Sequence, residues 1–96
     1  MTFAVKLSPA VVEQLDSLDG KSKRIVLEKI KLVEENPFRF KAIHSRLFRK
    51  VFRVRLSLKG KETRLIYVVL EPNIIIVCLL ERKKNYKDLE KYLAKI

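Results

Sequence analysis

The residues of this sequence best suited to chemistry are arginines in the stretch 51–86. Arg53 and Arg55 alternate with apolar residues in the segment VFRVRLSL, so a strand would place both on one face, ~6.5–7 Å apart. That interval is close to the distance between successive phosphates of a nucleic-acid backbone, and a guanidinium binds phosphate through two parallel hydrogen bonds. Three consecutive predicted strands would bring these side chains to one patch: Arg53, Arg55, Arg64, Arg82 and Tyr86.

The net charge of +11 is concentrated around this stretch. Residues 1–38 carry six basic and six acidic side chains, whereas residues 39–64 carry ten basic side chains and only one acidic residue, Glu62. A block of like charge repels itself and favours an anionic partner. Nucleic acid, an acidic protein and an anionic membrane surface are all compatible with it. A solvated basic face without a partner fits this segregation poorly.

Composition limits the class of protein. The 96 residues, 48% hydrophobic and 34% charged, predict a single soluble globular domain over residues 1–96. The apolar runs are too short to cross a bilayer and the first residues lack the features of a signal peptide, so we expect a cytoplasmic protein. One cysteine and one histidine supply too few ligands for a conventional zinc site. We expect neither a metal nor another cofactor.

The elements that would position the arginines begin with a strand and a helical hairpin. Residues 2–7 alternate as a short strand. Ser8 as N-cap and Pro9 at the first helical position predict a helix that ends near Asp19, and a second helix covers about 22–35. Apolar stripes at helical spacing in both segments predict that the hairpin packs against a core.

The second half of the chain predicts a meander and a final helix. Residues 37–50 have no clear period, and we expect an ordered connector whose aromatic rings pack in the core in preference to stacking on RNA bases. Strands are predicted at 51–58, 62–70 and 73–80, and a C-terminal helix with Asn85 as its N-cap. The order β-α-α-β-β-β-α defines an α+β domain.

This order, together with FRVRL, then TRLIYVV, then an apolar strand ending in ERKKNY, resembles the RelE/ParE superfamily of toxins from toxin–antitoxin pairs. The resemblance covers nearly the whole chain. It implies a four-stranded, mainly antiparallel sheet with the helical hairpin packed on one face and a C-terminal helix. It also implies an acidic antitoxin as partner, which the net charge independently favours.

For the RelE branch, the resemblance implies cleavage of messenger RNA on the ribosome by attack of the 2′-hydroxyl on the adjacent phosphorus, without a metal. Arg64 and Arg82 match residues that would neutralise the phosphoryl oxygens, while Arg53 and Arg55 match residues on flanking phosphates. Tyr86 would stack on a base or steer a proton, and packing against the sheet is an equally good alternative.

A general base is harder to assign. Relatives often carry a lysine or a carboxylate on the second strand, where this chain has arginine, and a histidine at the position of Glu81. Glu81 among cations offers a weak carboxylate base or simply an ion pair. The candidate catalytic group is Arg55, Arg64, Glu81, Arg82 and Tyr86. The further candidate RNA-binding residues are Arg49, Lys50, Arg53, Lys59, Lys61, Lys83 and Lys84.

Two other functions are compatible with the sequence. The ParE branch shares the fold and inhibits DNA gyrase, but generally lacks this complete set of arginines and tyrosine. A basic RNA-binding module without chemistry is the other alternative, and it predicts RNA binding that weakens steeply with salt.

Overall fold

The computed structural model describes residues 3–82 and 87–96. The elements in chain order are β1 (Ala4–Leu7), α1 (Pro9–Asp16), α2 (Gly20–Glu35), β2 (Lys41–Ile43), β3 (Val51–Leu58), β4 (Lys61–Leu70), β5 (Asn73–Glu81) and α3 (Lys87–Leu93). The predicted α+β class and order of elements are confirmed, with one additional strand, β2, inside the connector. Within the described ranges, every helix is too short or too polar to span a bilayer.

The strands form one sheet in the order β1-β5-β4-β3-β2, so the sheet has five strands where four were predicted. β1 pairs with β5 in parallel, and every other neighbouring pair is antiparallel. The extra strand, β2, is three residues long and pairs with the first half of β3. Alternation over so few residues is not a detectable signal, because it needs about four to eight residues to emerge.

Side-chain caps set the start of both hairpin helices. The Ser8 hydroxyl accepts a hydrogen bond from an N–H of the first turn of α1, and Pro9 occupies the first helical position, as predicted. The Asp19 carboxylate caps α2 by accepting from the Ser22 N–H, so α2 begins at Gly20, slightly earlier than predicted. That contact with Ser22 lowers the pKa of the Asp19 carboxyl.

Both faces of the sheet are covered, each by a different part of the chain. On one face, here called the hairpin face, α1 and α2 pack on alternate residues of the central strands; this core includes Val11, Leu15, Val26, Val33, Phe52, Val54, Leu56, Leu65 and Tyr67. On the other face, α3 buries Leu89 and Leu93 against Ile66, Val68 and Cys78. The predicted packing of the hairpin on one face is confirmed, and the C-terminal helix lies on the opposite face.

One edge of the sheet is completed by side chains. β1 pairs with β5 only as far as Ile76, and among the described residues no strand continues beyond that point on this side. The Ser8 hydroxyl donates to the Val77 carbonyl at 2.6 Å. The Gln14 side-chain amide donates to the Leu79 carbonyl at 3.0 Å and accepts from the Leu79 N–H at 2.7 Å. Gln14 thus replaces a strand at the edge of β5.

Replacing Gln14 by Ala should lower the free energy of unfolding by about 1–3 kcal/mol, because the partly buried N–H and C=O of Leu79 both lose their partner. Urea denaturation followed by circular dichroism measures the change. Glu13→Ala is the matched control, since Glu13 is an exposed neighbour on the same helix and its loss should cost less than about 0.5 kcal/mol. Equal unfolding midpoints for the two variants would contradict this role of Gln14.

Candidate functional site

The face opposite the hairpin carries the predicted arginines at neighbouring positions, and it is called the arginine face below. Arg53 and Arg55 alternate with the hairpin-face residues of β3, and Arg55 pairs directly with Arg64 of β4. Arg55 is exposed and Arg64 is half-buried. Directly opposed residues have Cβ atoms ~4.5–5.5 Å apart, and like charges at that distance destabilise a sheet. A bound anion would relieve this repulsion, so the pair is suited to phosphate.

Replacing Arg55 by Thr should therefore stabilise the free protein, and it would weaken the RNA binding that the sequence predicts. Relief of the cross-strand repulsion with Arg64 should raise the free energy of unfolding by about 0.2–1 kcal/mol. Loss of one phosphate contact should reduce the slope of log affinity against log salt by about one unit. Thermal unfolding and RNA binding in a salt series measure the two effects.

Lys61→Thr is the matched control for that experiment. It removes the same charge from an exposed strand position, but Lys61 pairs with Leu58 and not with a cation. The free energy of unfolding of the Lys61→Thr variant should not rise. Stabilisation of both variants to the same extent would show that lowering the net charge, and not the Arg55–Arg64 pair, is responsible.

Glu62 and Arg82 extend the arginine face beyond the Arg55–Arg64 pair. The Arg82 backbone N–H donates to the Glu62 carbonyl at 3.1 Å, which continues the β4–β5 ladder and sets Arg82 across from Glu62. Their side chains form an ion pair with Arg82 Nη1 2.5 Å from Glu62 Oε2. A cleft of about 200 Å³ beside this pair is lined by Arg55, Leu56, Ser57, Glu62, Thr63 and Arg64.

A groove at the other side of Arg55 adds further cations. Its volume is about 420 Å³, and it is lined by Arg39, Phe40, Lys41, Arg53 and Arg55. Lys41 lies opposite Arg53 in the β2–β3 pairing, and the Arg39 guanidinium lies 5.6 Å from the centre of the Phe40 ring. Arg39 and Lys41 were not among the predicted binding residues, because only the pairing of β2 with β3 brings them here.

Glu81 does not join the predicted group. β5 contains an irregularity opposite the Ile66–Tyr67 step, where Ile66 pairs with Cys78 and Tyr67 with Ile76. Val77 is the extra residue, and every residue after it lies on the face opposite to the one that regular alternation would give. Leu79 therefore faces the hairpin, and Glu81, two residues later, lies on the same side. Glu81 lines a separate cleft of about 360 Å³ with Gln14 and Lys59 among others.

The remaining predicted cations are dispersed. Lys59 lies 3.7 Å from the Asp19 carboxylate and Lys61 lies 4.0 Å from the Glu81 carboxylate, both beside that separate cleft. Lys50 pairs with Glu71 at 3.0 Å, near the turn between β4 and β5. Arg49, next to Lys50, is exposed. The predicted residues Lys83, Lys84 and Tyr86, and the predicted cap Asn85, lie outside the described residues.

Solved structures with the same fold are known. A double mutant of the E. coli toxin RelE in the free state superposes with a TM-score of 0.68 at 14% identity, covering 99% of this chain and 94% of that one. The toxin–antitoxin complex RelBE2 from Mycobacterium tuberculosis superposes with a TM-score of 0.66 at 19% identity, covering 85% of this chain and 100% of that one. The archaeal RelE–RelB complex from Pyrococcus horikoshii superposes with a TM-score of 0.56 at 26% identity, covering 88% of this chain and 99% of that one. No curated protein matches the chain.

The sheet order, the hairpin and these superpositions define a protein with the fold of the RelE toxins. The family model described as "Phage derived protein Gp49-like" matches residues 13–96. The chain belongs to this Gp49-like family.

Proposed function

We propose that this protein is the toxin of a toxin–antitoxin pair and a ribosome-dependent endoribonuclease that cleaves messenger RNA. The observation that carries the proposal is the position of Arg55, Arg64 and Arg82 on one face of a RelE fold, where Arg55 and Arg64 line an open cleft and Arg82 contacts Glu62 of the same cleft. Three guanidiniums, from β3, from β4 and from the residue that follows β5, would supply a set of phosphate-binding donors. Such a set favours a reaction in which negative charge grows on a phosphoryl group.

The proposed reaction is attack of the ribose 2′-hydroxyl on the adjacent phosphorus. Arg64 and Arg82 would bind the phosphoryl oxygens, and Arg53 and Arg55 would hold flanking phosphates. Because guanidiniums remain protonated throughout, they stabilise charge without taking part in proton transfer. Tyr86 keeps its two predicted roles, stacking on a base or steering a proton. The groove beside Phe40 extends the same surface along an RNA backbone.

The proposed partner is an acidic antitoxin. Residues 39–64 carry ten basic side chains and one acidic one, and this imbalance favours a partner of opposite charge. Two of the structural relatives are complexes, the toxin–antitoxin complex RelBE2 and the archaeal RelE–RelB complex. Because messenger RNA and ribosomes are cytoplasmic, we propose that the protein acts there.

Mapping of transcript 5′ ends after induction without a partner tests the proposal. New 5′ ends within translated codons are expected within minutes, and they should be absent when translation initiation is blocked. The double variant Arg55→Ala/Arg64→Ala, expressed to the same level, is the inactive control. Intact transcripts with inhibited DNA gyrase would instead identify the ParE activity. Intact transcripts with salt-sensitive RNA binding would identify a module without chemistry.

A further inference from the structure

We propose that Glu62 is the general base that removes the 2′-hydroxyl proton. The inference rests on the proposed ribonuclease function and fills the role that the sequence pattern left without a convincing residue. Its basis is position: Glu62 lies on the arginine face, in the same cleft as Arg55 and Arg64 and across from Arg82.

The surroundings of Glu62 are those of a carboxylate inside a phosphate site. Arg64 is two residues away on the same face of β4, which corresponds to ~6.5–7 Å. The Arg82 guanidinium contacts Glu62 Oε2 at 2.5 Å through Nη1. A guanidinium has five N–H donors, so Arg82 has the capacity to bind a phosphoryl oxygen while it holds Glu62. A substrate phosphate bound by Arg82 would thereby lie next to the Glu62 carboxylate.

The competing carboxylate is on the wrong side of the sheet. Glu81 follows the irregularity in β5, faces the hairpin side and lies 4.0 Å from Lys61. Among the described residues that line the cleft containing Arg55 and Arg64, Glu62 is the one with a carboxylate. Glu62 and Arg82 are both largely exposed, with side-chain accessibilities of 66% and 65%. An exposed pair contributes little to stability, so the carboxylate can turn from Arg82 to the ribose.

A Glu62 carboxylate oxygen takes the proton of the 2′-hydroxyl while the 2′-oxygen forms a bond to the adjacent phosphorus. The bond between phosphorus and the 5′-oxygen breaks, and the 5′-oxygen leaves with the electron pair and takes a proton from water. The products are a 2′,3′-cyclic phosphate and a 5′-hydroxyl, and Glu62 returns its proton to solvent.

The test compares Glu62→Gln with Glu81→Gln in single-turnover cleavage of messenger RNA on programmed ribosomes. Glu62→Gln should lower the cleavage rate about 10²-fold or more, because general-base catalysis contributes about 10²- to 10⁴-fold. Its affinity for a 2′-deoxy messenger analogue should be equal to or tighter than that of the wild type, since a negative charge beside the phosphate is removed. Glu28→Gln, which removes the same charge from an exposed position on α2, should leave both quantities unchanged. A loss of rate in Glu81→Gln and not in Glu62→Gln would overturn the inference.

The outcomes separate the inference from the function on which it rests. Absence of cleavage by the wild-type protein in this assay would overturn the proposed function and this inference with it. Wild-type cleavage with an unaffected Glu62→Gln variant would overturn the inference only. A parallel fall in rate, affinity and melting temperature would assign Glu62 a structural role and also overturn it. Partial recovery of the rate in Glu62→Asp, which keeps a shorter carboxylate, would support the base.

Discussion

Replacement of Arg64 by Ala is expected to slow the proposed transcript cleavage about 10²- to 10³-fold, the usual effect of removing one donor from the site where negative charge develops. Arg64 lies at the centre of the arginine face, directly opposite Arg55 and two residues from Glu62 along β4. It is half-buried in a strand that pairs on both sides, so its side chain is held in place by rigid neighbours. Single-turnover cleavage on programmed ribosomes measures the loss.

Two variants control this experiment. Arg64→Lys keeps the charge but not the planar fork, so its rate should fall between those of the wild type and Arg64→Ala. Arg24→Ala removes the same charge from an exposed position on α2, which packs on the hairpin face, and should leave the rate unchanged. Wild-type and Arg64→Ala rates that agree within twofold would remove Arg64 from the proposed active site.

The largest effect on stability is expected for Tyr67→Ala, at about 3–5 kcal/mol. Tyr67 is fully buried at the centre of the hairpin-face core, with its ring stacked on Phe52 at a centroid distance of 5.3 Å. Its hydroxyl donates to the Pro37 carbonyl at 2.6 Å and so ties the start of the connector to the sheet. Burial raises the pKa of this phenol, so it remains protonated and able to donate. Urea denaturation measures the loss.

Tyr67→Phe divides this effect into its two causes. It keeps the ring and removes only the hydroxyl, which leaves the Pro37 carbonyl without this donor, and should cost about 1–3 kcal/mol. The difference between the two variants is then the contribution of ring packing. If Tyr67→Phe is as unstable as Tyr67→Ala, the ring contributes nothing and the expected dominance of packing is wrong.

The local elements could be predicted because their signals lie in adjacent residues. Ser8 caps α1 and Pro9 occupies its first position, as the sequence predicted. The alternating segment 51–58 forms an eight-residue strand. The turn after it adopts positive φ at Lys59 (52°) and Gly60 (76°), the conformation that favours glycine in a two-residue hairpin. The sequence did not predict β2, because a strand of three residues is too short to show a period of two.

The candidate site was only partly predictable. Arg53, Arg55 and Arg64 occupy one face because a strand alternates with a period of two, and the same rule places Glu62 beside Arg64. The rule fails at the end of β5, where one extra residue near Val77 exchanges the faces of everything that follows. Regular alternation from Ile74 would have left Arg82 on the hairpin face. The irregularity instead places Arg82 against Glu62 and directs Glu81 away.

The sequence by itself determined the order of elements, the Ser8 cap of α1, the segregation of charge and the alternation of arginines along β3. These properties depend on residue type and on spacings of a few positions. Only the tertiary structure decided which of the cations meet and which carboxylate joins them. The physical reason is strand register: Glu62 and Arg82 are 20 residues apart in the chain and in contact across the sheet. A shift of one residue in that pairing would send each side chain to the opposite face.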